Sequence, residues 1–212
     1  VESRMSEVRQ MDEAMGSISS ALNDSPFREN TIFVFTADHG IEAARDKWFC
    51  YDPGIEIPLI ISWPKRGISG GKVHDQLLSN VDLAPTVLDL AGLAVPENME
   101  GKSFAKVLTE GENGATRDAV FGCFQNKEMR YVRTREHKLI VNFAPHRLMH
   151  VPVDITKIST RFYESPVVEL YDLKKDAVEF ENVAEDPAYQ SVRNDLLAKL
   201  WEWMESVDDC LL

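Results

Sequence analysis

The run Thr31-Ile32-Phe33-Val34-Phe35-Thr36 constrains the fold most, because it is β-branched and aromatic with no polar face. A strand with one wet face alternates apolar and polar residues, whereas a strand that is apolar on both sides reads as a parallel strand covered by layers above and below. The run ends in Ala37-Asp38-His39-Gly40, with Lys47 eight positions beyond the histidine. A second run of the same kind follows at Ile57–Trp63, and its Pro58 must lie at the strand start or on an edge, since proline cannot donate to a ladder.

Helical patterns surround these strands. Met5, Val8, Met11, Met15, Ile18 and Leu22 recur at steps of three and four, which predicts an amphipathic helix broken by Asn23-Asp24-Ser25-Pro26. Asn80–Gly92 reads as another helix, with Asn80 or Asp82 as cap, Pro85 in the first turn and Gly92 as the stop. Buried strands alternating with helices imply an α/β layer with a parallel sheet. Around residues 109–118 the sequence turns polar, so we expect one unit over 1–112 and a second over 113–212. In the second, residues 119–124, 129–134, 138–143 and 169–173 are short strand candidates. Residues 144–166, with three prolines and little periodicity, read as a surface excursion. Asp186-Pro187 opens a closing helix whose stripe is Val192, Leu196, Leu200, Trp203 and Val207. This predicts a small antiparallel sheet crossed by a C-terminal helix.

The formal net charge of -12 argues against a nucleic-acid partner. It leaves room for an anionic ligand, because salt screens charges beyond ~8 Å and a local cation cluster can dominate a site. No apolar run approaches the roughly 20 residues of a membrane span. The chain opens on V-E-S-R-M-S without a secretory signal and without an initiating Met, as a piece of something longer would. Cys50, Cys123 and Cys210 show neither zinc spacing nor a disulfide framework and read as structural or surface thiols.

In open α/β sheets ligands bind beyond the carboxyl ends of the strands, which is where Asp38 and His39 fall. A carboxylate oxygen and an imidazole nitrogen side by side on a turn loosened by Gly40 can both reach one divalent cation. The other reading of the same residues is that Asp38 caps the next segment and His39 is a surface side chain. Lys127, Arg130, Arg133, Arg135, His137 and Lys138 form a basic hairpin. A solvated strand face is the favoured reading; the functional one is that Arg130 and His137 grip an anionic ligand. Trp63, Trp201 and Trp203 read as packing residues, and His74, His146 and His150 have no assignment.

N-T-I-F-V-F-T-A-D-H-G, Lys47 and Y-D-P-G-I-E-I-P-L-I-I-S-W-P resemble the sulfatase family of the alkaline-phosphatase-like superfamily. So do N-V-D-L-A-P-T-V-L-D-L-A-G, M-E-G-K-S-F, R-Y-V-R-T-R-E-H-K-L-I, E-L-Y-D-L-K-K-D and the final L-W-E-W-M. The ordered motifs cover nearly the whole chain, and K-L-I-V-N-F-A-P-H with the last segments is similar to the sulfamidase, or heparan N-sulfatase, branch. The resemblance implies an α/β fold, the C-terminal part of an alkaline-phosphatase-like mixed or parallel sheet with flanking helices, plus a small antiparallel sheet with a C-terminal helix. It implies Asp38 and His39 as metal ligands and Lys47, with Arg45 as the nearest substitute, as the sulfate contact. The metal implied is calcium, and the substrate a sulfated sugar or other sulfate ester.

The family's formylglycine arises from a C-x-P-x-R motif, which neither Cys50 nor Cys123 matches. The nucleophile is therefore expected in a missing N-terminal half, and this chain alone is expected to be inactive. Relatives are periplasmic, secreted or lysosomal. His39 replaces the commoner Asn, and imidazole suits zinc or manganese better than calcium. A metal-dependent phosphodiesterase or phosphonate hydrolase of the same superfamily is the second reading. A non-catalytic sugar-binding or interaction module is the third.

Overall fold

The computed structural model describes residues 2–40, 47, 49–111, 117–124, 129–143 and 167–211. The periodic opening segment is α1 (Glu2–Asn23), and its Met5, Val8, Met11 and Ile18 face solvent. β1 (Phe33–Thr36) follows, then the four-residue turn α2 (Asp52–Ile55), then β2 (Leu59–Ser62), which begins directly after Pro58. β1 and β2 pair antiparallel, with Phe33 opposite Ser62 and Thr36 opposite Leu59, where the sequence reading expected parallel strands. Parallel neighbours need a crossover of a dozen or more residues, usually a helix. Among the described residues between them only α2 is helical. Each β1 residue is half-buried, and Ile60 on β2 is exposed, so the described layers leave part of this pair uncovered.

A single turn of 3-10 helix, Asn80–Asp82, leads into α3 (Leu83–Leu90), followed by α4 (Ala105–Glu110). Asp82 stands at the N-cap of α3 without a side-chain cap bond to that helix, and it closes a capping box with Ser79 around the 3-10 turn. Its buried carboxylate accepts the Ser79 and Lys102 backbone N–H groups at 2.9 and 2.8 Å and pairs with Arg117. Gly101 lies so close to the Val81 carbonyl that a Cβ would come within 1.8 Å of its oxygen, which accounts for the glycine in M-E-G-K-S-F. Trp63 is buried here with Ile68, Leu90 and Ala105.

The four strand candidates form one antiparallel sheet in chain order: β3 (Val120–Phe124), β4 (Met129–Arg133), β5 (His137–Asn142) and β6 (Val168–Asp172). A turn of 3-10 helix from Pro187, entered from Asp186, whose Oδ1 accepts the Ala188 N–H at 2.9 Å, leads into α5 (Gln190–Ser206). Successive side chains on a strand point to opposite faces. One face places Val132, Leu139, Val141 and Leu170 against Leu196, Leu200 and Met204 of α5. The other places Met129, Ile140 and Tyr171 against Cys50 and Tyr51, from the segment just before α2. β5 is covered on both sides and is the most buried strand. No helix of the described residues is long and apolar enough to cross a membrane.

Candidate functional site

Asp38 and His39 lie on the bend that leaves β1, one residue past Ala37, and both are exposed. The Asp38 Oδ1 accepts the His39 backbone N–H at 3.0 Å, which fixes the carboxylate beside the ring. His39 Nδ1 lies 2.7 Å from the Gly40 carbonyl oxygen. That oxygen can only accept, so Nδ1 is the donor, and in the neutral ring the lone pair falls on Nε2. Nε2 is 3.6 Å from Asp38 Oδ2. Two neighbouring donors on one ion, each about 2.1–2.4 Å from it, stand roughly 3.0–3.5 Å apart. The oxygen and nitrogen are therefore close to the spacing that a shared divalent cation needs. Among the described residues no group of three or more His, Cys, Asp or Glu side chains could hold a metal.

Behind the pair stands α2. The Gly40 N–H donates to the Gly54 carbonyl at 2.9 Å, and a Cβ on Gly40 would fall 1.8 Å from the Pro53 carbonyl oxygen. Only glycine admits this approach. α2 is held in turn from the sheet. Lys138 Nζ, fully buried, donates to Asp52 Oδ1 and to Glu179 Oε1, each at 2.6 Å. Arg133 grips the same carboxylate, with Nη2 at 2.9 Å from Oδ2 and Nε at 3.0 Å from Oδ1. Glu179 Oε2 accepts the Asp52 backbone N–H at 2.6 Å, from a residue whose φ of 59° lies in the left-handed region. Burial pushes the Asp52 carboxyl up, but the Arg133 hydrogen bonds and the Lys138 charge outweigh it and hold it below its ordinary value. Just upstream, the Tyr51 hydroxyl donates to Glu169 Oε2 at 2.8 Å, and Cys50 is fully buried.

Asp38, His39 and Asp52 border an open cleft of about 1250 Å³, whose walls also include Lys47, His74, Tyr131 and Arg133. Lys47 and the Asp38–His39 pair thus line one cleft. Arg130 and His137 are not on it. Arg130 is fully buried on the α5 face, its Nε and Nη2 donating to Asp209 at 2.5 and 2.7 Å. His137, half-buried, lies edge-on to Tyr189 at 6.2 Å between ring centroids. Both have the strand parity that points away from the cleft, whereas Arg133 and Lys138, opposite each other across the hairpin, have the parity that points toward it. Trp203 stacks on Phe121 and Trp201 meets Phe143 edge-on, as packing residues. Arg45, Lys127, His146, His150 and the excursion over 144–166 lie outside the described residues.

A mixed α/β layer joined to a four-stranded antiparallel sheet and a C-terminal helix is a sulfatase-type, alkaline-phosphatase-like fold. The description N-sulphoglucosamine sulphohydrolase, C-terminal, matches residues 39–206, and the chain belongs to that family. An ulvan-active sulfatase of Formosa agariphila is 30% identical over 90% of this chain and 40% of its own length. The solved structure of BT4656 in complex with its substrate D-glucosamine-2-N,6-O-disulfate superposes with a TM-score of 0.76 at 28% identity, over 96% of this chain and 40% of that one. A phosphonate monoester hydrolase of Agrobacterium radiobacter gives 0.70 at 26% identity, over 94% and 40%. The chain therefore spans well under half the length of the relatives it matches.

Proposed function

We propose that the protein carrying this chain is a sulfatase that hydrolyses an O-sulfate or N-sulfate of a sulfated sugar. The observation that carries this reading is the convergence of Asp38, His39 and Lys47 on one cleft, with His39 Nε2 3.6 Å from Asp38 Oδ2. In it, Asp38 and His39 hold a divalent cation, calcium in the first instance, with the remaining ligands supplied by the part of the relatives that this chain does not span. A cation bound there would withdraw charge from the sulfuryl oxygens. Lys47 supplies a fixed positive charge to the same oxygens as they gain charge in the transition state. The nucleophile, a formylglycine, belongs to the portion not spanned, so this chain by itself does not turn over substrate. The N-sulfate option has the support of the family description and of the disulfated glucosamine bound by BT4656. Residues 1–112 then serve as the end of the catalytic α/β unit, and 113–212 as a smaller unit that buttresses it.

A second reading, a phosphonate monoester hydrolase, is favoured by one observation. His39 puts an imidazole where an oxygen ligand would suit calcium, and an enzyme of that activity shares the fold. Full-length protein assayed on N-sulfated glucosamine, an aryl sulfate and an aryl phosphonate monoester separates the two. Sulfate release at least tenfold faster than phosphonate release is the expected result, and the reverse order would hand the site to the second reading. In the same assay Lys47→Ala should lower kcat/KM by roughly 10²–10³-fold. A variant within threefold of the parent would remove Lys47 from the site.

A further inference from the structure

The candidate site is not held by the strand tip alone. Starting at Asp38 and His39, the chain of contacts runs through Gly40, whose N–H is bonded to the Gly54 carbonyl at 2.9 Å and whose Cα lies hard against Pro53. It continues through α2 to Asp52, and from Asp52 to Lys138 and Arg133 on the inner face of the sheet and to Glu179 beyond β6. On the other side of Asp52, Tyr51 and Cys50 are packed against Met129, Ile140 and Tyr171, and the backbone reaches Lys47 within three residues of Cys50. Every polar contact to the Asp52 carboxylate comes from residues more than 80 positions away in sequence. A residue bonded this way is not serving its own local turn.

We infer that Asp52 is a positioning residue: clamped by Lys138, Arg133 and Glu179, it sets where α2 stands, and α2 sets the spacing of Asp38 and His39 against Lys47. The small C-terminal sheet thereby takes part in cation binding at the cleft without contributing a ligand. The inference rests on the site assignment proposed above, and its effect is directional. A loosened clamp lets α2 drift from Gly40, which widens the donor pair and moves the Lys47 segment, so cation affinity and the rate of the bound complex should fall together. Outer partners that orient ligands in this way typically govern about 10–100-fold in metal affinity or activity.

The test uses the full-length protein, stripped of metal, with calcium and manganese titrated separately by calorimetry, alongside steady-state kinetics on the sulfate substrate. Asp52→Asn should weaken cation binding about tenfold and lower kcat about tenfold, with KM changing less than about threefold. Arg133→Gln, which leaves Lys138 and Glu179 in place, should move both quantities the same way by a smaller factor. Leu196→Val, in the core on the α5 face, serves as the control: it lowers Tm without touching the clamp, and its cation affinity should stay within about twofold of the parent. Asp38→Ala should abolish binding. If Asp38→Ala binds cation as well as the parent, the site assignment itself is lost. If Asp38→Ala fails to bind while Asp52→Asn, or Leu196→Val at matched Tm, is indistinguishable from the other, the positioning role is overturned and the site stands. Should Asp52→Asn not fold, unchanged affinity in Arg133→Gln is the overturning result.

Discussion

Arg130 and Lys138 lie on adjacent strands of one sheet, both fully buried and both facing an aspartate, yet on opposite faces. Arg130 takes Asp209, just past α5, and so fastens the end of the helix to the sheet. Lys138 takes Asp52 and Glu179 together and fastens the sheet to the turn behind the candidate site. One kind of interaction, a buried cation matched to carboxylates, therefore closes a core on one side and braces the turn behind the candidate site on the other. What decides between the two is strand parity.

The comparison breaks first at Lys138. Lys138→Met leaves the buried carboxylates of Asp52 and Glu179 without the ammonium that bridges them, and should cost about 3–5 kcal/mol in urea unfolding of the full-length protein. Arg130→Met leaves a single buried carboxylate, Asp209, which still accepts the Leu211 N–H at 3.0 Å, so a smaller loss of about 1.5–3 kcal/mol is expected. Equal losses at the two positions would mean that the inner clamp has no special weight. A pH series sharpens the contrast further. The Asp52 carboxyl is held below its ordinary value of 3.8, so its contribution to stability is complete above that value and fades as pH falls through the folded one. The parent should lose stability over that acid range more steeply than Asp52→Asn, and parallel curves would show that the carboxylate charge contributes little. The smallest effect concerns the thiol packed on the Lys138 face of the sheet. Burial pushes Cys50 up to about 12, so iodoacetamide at neutral pH should label the exposed Cys123 and Cys210 and spare Cys50 in the native state. Rapid labelling of Cys50 would show that the segment from Phe49 to Ile55 opens readily.

Much of this was legible in the sequence because it depends on local pattern. The apolar run into Asp38-His39, the proline-led start of β2, the four short strands and the Asp186-Pro187 entry to α5 are all signals within a few residues. The antiparallel pairing of β1 with β2 was not, since an unbroken apolar run reports coverage and not direction. That Arg130 and His137 lie off the cleft face has a sharper cause. R-Y-V-R-T-R-E-H-K-L-I carries basic residues on both parities, and only the turn says which of them share a face. Thr134 makes that turn, its Oγ1 accepting the His137 N–H at 3.0 Å and its own N–H donating to the His137 carbonyl at 2.8 Å, which sets Arg133 opposite Lys138. Asp52 and Glu179 were out of reach for another reason. Their partners are dozens of residues distant, and nothing in the sequence around Y-D-P-G announces a clamp.

Gly40 has no room for even a methyl group between the strand tip and the Pro53 oxygen. Two backbones in van der Waals register behave as a single rigid piece, so the bend bearing the aspartate and the histidine inherits whatever precision the α2 turn possesses. A designer who wished to retune this cleft would find that this position tolerates no substitution, and that the useful freedom begins one layer further out, at the walls.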